Sequence, residues 1–227
     1  MKKISILFII FCSFNLVKAQ EIMTKPNYKK IEKEISDKKS VYYYSRLFDR
    51  FMKSDSTLTS IDNHYLYYGY SFNEKYNPYK RSEKSKDLNE ILSNKDKSKI
   101  DFDQALKVSE EMIDLNPFDL RVYNAMLYIL ENKNDKIYFN KIMFRMNCII
   151  DAIMKSGDGK TIENAIYVIE VPHEYDVIDI IGLEYGGEQS LVKNGIDFLK
   201  LKDNKFDLKG LYFDVSPSFN FLEKSFK

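Results

Sequence analysis

Tryptophan is absent from these 227 residues, and only two cysteines and two histidines are present. Each scarcity closes off a class of protein. Of the cysteines, Cys12 lies in an apolar leader, so removal of that leader leaves Cys148 alone and no disulfide can form. A chain of this size without disulfides must hold together by core packing. His173-Glu174 matches the start of the zinc motif H-E-x-x-H, but Val177 stands where the second ligand belongs, so no metal site is expected. Charge is also scarce in net terms: 35 Lys+Arg oppose 34 Asp+Glu. No basic excess exists to attract nucleic acid or an anionic membrane.

The leader itself reads MKKISILFIIFCSFNLVKAQ. Lys2 and Lys3 form a basic start, and Ile4 to Val17 is an apolar run too short to span a bilayer comfortably. Val17 and Ala19 hold the −3 and −1 positions of a signal-peptide cleavage site, so cleavage after Ala19 and export to the periplasm or beyond are expected. The alternative is an uncleaved membrane anchor. Loss of 19 residues removes three lysines and no acid, leaving about 32 basic residues against 34 acidic ones. No later segment is long and apolar enough to cross a membrane.

What the chain has in plenty is amphipathic helix. Tyr28, Ile31 and Ile35 make a thin apolar stripe. Ser40 is a plausible N-cap for a helix facing inward through Val41, Tyr44, Leu47, Phe48, Phe51 and Met52, and Ser60 for a tyrosine-dense helix ending before Tyr76-Asn77-Pro78-Tyr79. Residues 80–99 are charged and support only a weak helix. Asp101 to Leu130 reads as two helices broken at Asn116-Pro117, and a longer helix follows the turn at Asn132–Asp135, with Gly157 just past its end. Cys148, among Met146, Ile149 and Ile150, is expected to be a buried small hydrophobe.

Beyond residue 157 the pattern changes. IYVIEV (Ile166–Val171) is β-branched and aromatic, as in a strand buried on both faces. Pro172 opens a short helix closed by Gly182, and a terminal helix follows Pro217. Gly186-Gly187 and Asn194-Gly195 suit two-residue hairpin turns, and Gly210–Val215 reads as a further strand.

The Ala105…Pro117 spacing is similar to that between the small residue of helix B and the closing proline in a tetratricopeptide (TPR) repeat, the proline suiting the first turn of the next helix. The expected fold class is therefore α+β: mainly α, with TPR-like stacked hairpins over residues 20–156, then a small antiparallel β-sheet over residues 157–227 capping the stack as part of one body. At LYYGY, YNPY, VPHEY and LYFDV, together with that helix pair, the chain resembles an uncharacterised family of exported Bacteroidetes proteins, catalogued as a domain of unknown function. The resemblance implies a secreted or periplasmic location and carries no activity with it.

Two functional readings of different class follow. Stacked hairpins leave a concave face that holds a peptide or protein partner, and no cofactor is implied. Tyr65, Tyr68, Tyr70, Tyr76 and Tyr79 are candidate binding residues on such a face if their rings form an aromatic groove for a peptide or glycan; core packing is the other fate open to them. The absence of tryptophan weighs against the glycan version. The second reading is an enzyme, a hydrolase using His173, Glu174 and Asp176 at the helix–sheet junction. Convergence of those three in a pocket would separate it from the first. Ser156 to Thr161 ends like a phosphate-binding loop but lacks the first glycine, and is expected to be a helix stop and turn.

Overall fold

The computed structural model describes residues 24–193 and 195–225. The expected leader, its cleavage site and Asn194 lie outside the described residues. Among the described residues, seven α-helices come first: α1 Tyr28–Ser36, α2 Tyr44–Met52, α3 Ser60–Gly69, α4 Lys84–Leu92, α5 Phe102–Leu115, α6 Leu120–Asn132 and α7 Lys136–Met154. Asp101, Asp119 and Asp135 cap the last three, each accepting a backbone N–H in the first turn, where a negative group also meets the positive end of the helix dipole.

Two expected caps are displaced. Thr59, not Ser60, caps α3, in a reciprocal capping box with Asp62. Ser40 does not cap α2, which begins after Tyr43; its hydroxyl donates to Glu34 instead. Pro117 likewise lies outside the first turn of α6, two residues before the Asp119 cap, and its carbonyl accepts from Tyr123 at 3.0 Å.

The second half contributes β1 Ile166–Tyr167, α8 Pro172–Ile180, β2 Tyr185–Lys193, β3 Ile196–Leu201, β4 Gly210–Asp214 and α9 Ser216–Ser225. The sheet order is β1-β4-β3-β2. β2 pairs antiparallel with β3 and β3 with β4, but β1 lies parallel to β4 with Ile166 opposite Phe213. The sheet is therefore mixed, not antiparallel as expected. The intervening α8 and the β2–β3 hairpin supply the long connection that a parallel pair needs. Gly186-Gly187 is not a turn. It lies within β2, where the register against β3 shifts between Tyr185 and Gln189, and Gly187 takes the positive φ of 89° required there. Helices and sheet share one hydrophobic core, running from Ile31 and Leu47 through Ile149 to Leu199 and Phe213.

The tyrosines explain why IYVIEV yields a strand of only two residues. Beyond Tyr167 the backbone is buried; the Val168 N–H still donates to the Asp214 carbonyl of β4, and the groups around it find side-chain partners from α3 and the turn after it. The Tyr68 hydroxyl lies 3.1 Å from the Tyr167 carbonyl, Tyr67 accepts from the Ile169 N–H at 3.2 Å, and Tyr76 donates to the Ile169 carbonyl. Tyrosine tips thus take the place of a neighbouring strand, satisfying backbone groups that would be costly to leave unpaired. Tyr65, Tyr68, Tyr70 and Tyr76 are core residues and form no open aromatic groove, although Tyr70 also lines the cleft described below; of the five candidate binding tyrosines only Tyr79 is exposed. Tyr65 stacks on Tyr42 with centroids 4.0 Å apart, and Tyr70 packs on Phe118.

Candidate functional site, a cleft floored by a buried acid

Pinning of residues 167–169 brings the next residue, Glu170, to the floor of a cleft of about 440 Å³. One wall is the α5–α6 turn with Asn116 and Asp119; a second is the start of α8 with His173 and Asp176; the third is the loop before α4 with Lys75, Lys80 and Arg81. Leu88 of α4 and Met112 of α5 give it an apolar side. A concave, partly apolar site with a few convergent polar groups is the usual form of a ligand pocket.

Glu170 is 6% exposed. Asn116 fixes it: the Phe118 N–H donates to Asn116 Oδ1, which orients the amide so that Nδ2 donates to both Glu170 oxygens, at 3.0 and 3.1 Å. No other hydrogen bond reaches this carboxyl among the described residues. Burial, with the nearby Asp119 charge adding to it, pushes the Glu170 carboxyl up to about 8, against the pull of Asn116 and Arg81. The group therefore exchanges its proton near neutrality.

His173 lines the same cleft but is committed to structure. The Phe118 carbonyl, 3.0 Å from Nε2, can only accept, so Nε2 carries the proton and Nδ1 accepts from the Tyr67 hydroxyl at 2.8 Å. Ile169 N–H, Tyr67, His173 and the Phe118 carbonyl thus form one satisfied chain. Burial holds the imidazole down at about 4, so it stays neutral. Asp176 also lines the cleft and is ion-paired with Arg121 at 2.8 Å. Burial raises its carboxyl, and Arg121 opposes the rise.

Glu174 turns away from the other two candidates. Its Oε2 accepts from Gln189 Nε2 at 3.2 Å, and the same amide donates to Asp197 of β3 at 2.6 Å. Burial, then the adjacent Asp197, push the Glu174 carboxyl up to about 9, and its Oε1 has no hydrogen-bond partner among the described residues. His173, Glu174 and Asp176 therefore do not converge: the first and third face the cleft, while the second belongs to a buried acid pair under β2.

Sequence reasoning missed Glu170, Asn116 and Asp119. A signal for the first was present, since a strand buried on both faces has no place for the carboxylate in IYVIEV unless that carboxylate has a local purpose. The apparent phosphate loop is a docking turn: Ser156 Oγ accepts from the Tyr167 N–H at 2.8 Å, and Tyr212 N–H donates to the Gly159 carbonyl. Cys148 is buried as expected, its thiol pushed up to about 12 by burial. Among the described residues no group of three or more His, Cys, Asp or Glu is placed to hold a metal ion, and no helix is long and apolar enough to cross a membrane.

No curated protein and no solved structure matches the chain. A family model described as a domain of unknown function, DUF4919, matches residues 29–224, from the second residue of α1 almost to the end of α9, and the chain belongs to that family.

Proposed function

We propose that the protein is an exported binding module, freed of its first 19 residues, that holds a peptide or other partner group in the Glu170 cleft. The TPR-like hairpin α5–α6 supplies one wall, and the tyrosine-pinned segment supplies the floor. The observation that carries the reading is Glu170: a buried carboxyl with one amide partner, open to a cavity of ligand size. Titration of isotope-labelled protein with a mixed library of short peptides and fragments tests it. Shifts centred on the amides of Asn116, Asp119 and Asp176 support the cleft. Their absence, or shifts confined to other surfaces, removes it. Amino-terminal sequencing of the protein recovered outside the cytoplasm should begin at Gln20.

A hydrolytic reading has one observation in its favour. A carboxyl that keeps its proton to about 8 suits a general acid, and Asp119 and Asp176 line the same cleft. That reading would rest on Glu170 instead of His173 and Glu174, whose partners lie on different sides of α8. Turnover of an ester, amide or glycoside that Glu170→Gln abolishes would establish it.

A further inference from the structure

We propose that the cleft selects a small zwitterion, a free amino acid or short peptide, with its ammonium against Glu170 and Asp119 and its carboxylate toward Lys75, Lys80 and Arg81. The inference rests on the cleft being a binding site, as proposed above.

The cleft sorts its charges by depth. Glu170 is buried and Asp119 and Asp176 are half-buried, whereas Lys75, Lys80, Arg81 and Arg121 are all exposed. Arg121 is already engaged by Asp176, which leaves the three cations of the loop before α4 at the mouth. A ligand that matches this arrangement enters with its positive end first and leaves its negative end outside. A volume of about 440 Å³ suits a molecule from amino acid to short peptide.

Glu170 supplies the second, independent reason. Ionised, a carboxylate can accept about four hydrogen bonds, and here one amide group is its whole supply. Protonated, its O–H cannot use Asn116 as an acceptor, because Asn116 Nδ2 only donates. Ionised, the carboxylate is left short of donors. Asp119 is similar in part: its Oδ1 accepts from the Arg121 and Val122 N–H groups, and no hydrogen bond reaches its other oxygen among the described residues. A primary ammonium carries three donors and a positive charge, and so completes both acids at once.

Ligand binding is therefore coupled to a proton. The groups whose charges reach Glu170 are Asp119 and Asp176, which hold its proton on, and Arg81, which works against them, as does the Asn116 amide. An arriving ammonium outweighs the acids and expels the proton at pH 7.

The test is titration calorimetry of the purified protein with triglycine, N-acetyl-triglycine, triglycine amide and free glycine, in two buffers of different ionisation enthalpy. Triglycine should bind and release up to one proton; N-acetylation should weaken it at least about tenfold, and amidation by a few fold. Glycine against triglycine separates an amino-acid site from a peptide site. Glu170→Gln, a neutral isostere of the protonated form, should abolish proton release and weaken triglycine without lowering the melting temperature. The exposed pair Lys75→Ala/Lys80→Ala, neither of which acts on the Glu170 proton, should weaken triglycine more than triglycine amide. Equal binding of the acetylated peptide, or binding insensitive to Glu170→Gln, overturns the inference. If none of these probes binds while other library members shift the cleft amides, the zwitterion falls and the binding site stands. If nothing shifts them, both fall.

Discussion

Tyr67→Phe isolates the hydroxyl that joins α3 to the floor of the cleft. The ring stays and its packing on Phe118 is kept, so the change removes one oxygen and little else. That oxygen serves two buried groups, Nδ1 of His173 at 2.8 Å and the N–H of Ile169 at 3.2 Å. Leaving a buried donor or acceptor unsatisfied costs about 1–3 kcal/mol, so two orphans give a loss of about 2–6 kcal/mol. For a domain of this size that lowers the melting temperature by about 4–24 °C. Urea unfolding followed by far-ultraviolet circular dichroism measures it, with Tyr42→Phe as control. The Tyr42 ring is half-buried against Tyr65 and its hydroxyl makes no hydrogen bond among the described residues, so its loss should stay within about 0.5 kcal/mol. Equal stability of the two variants would refute the idea that tyrosine hydroxyls stand in for a strand partner.

Three further outcomes follow from buried groups. His173 is held at about 4 when folded against about 6.5 unfolded, so its contribution is intact above the unfolded value and is lost as pH falls toward 4, by about 3 kcal/mol in total. The imidazole of His64 is lowered in the same direction, so residue-resolved NMR titration must assign the two separately; a His173 midpoint near 6.5 would contradict its burial. Glu174 is raised to about 9, so its favourable term is full below the unfolded carboxyl value and shrinks as pH rises toward 9. Glu174→Gln should therefore stabilise the protein by about 5 kcal/mol at pH 8, about 1.4 kcal/mol for each pH unit above the unfolded carboxyl value, and by little at pH 4, and a gain independent of pH would point to packing instead. Gly157→Ala places a methyl 2.2 Å from the Ala165 carbonyl oxygen, a backbone atom that cannot step aside. A loss of about 2 kcal/mol or more in thermal unfolding is expected, and a neutral result would mean the docking turn can shift as a unit.

Helices and their order could be read from the chain because the signals are local. Tyr28, Ile31 and Ile35 share a face by spacing alone, and the stripe from Val122 to Leu130 marks α6 as an inner helix whatever surrounds it. The break at Asn116-Pro117, the stop at Gly182 and the β content after residue 157 belong to the same class of information. Spacing put the cap of α3 at Ser60, one residue too late, since the choice between neighbouring hydroxyls depends on which one the approaching chain leaves free to face Asp62.

The candidate site was decided elsewhere. His173 and Asp176 were visible as polar residues in an apolar setting, but nothing near them distinguishes the cleft from the acid pair under β2, and only the turn of α8 sends Glu174 to the far side. Tyr67 lies 106 residues from the histidine it bonds, and Asn116 lies 54 from Glu170. By itself the sequence determined what repeats every few residues: helix faces, the breaks between helices, and a balance of charge with no basic excess. Tertiary structure alone decided that the tyrosines would be hydrogen-bond partners of a buried backbone, that the sheet would take a parallel strand, and that one carboxylate in an apolar run would floor a cleft. Each of those depends on which distant group arrives to satisfy a buried polar atom, and a partner a hundred residues away leaves no periodicity to read.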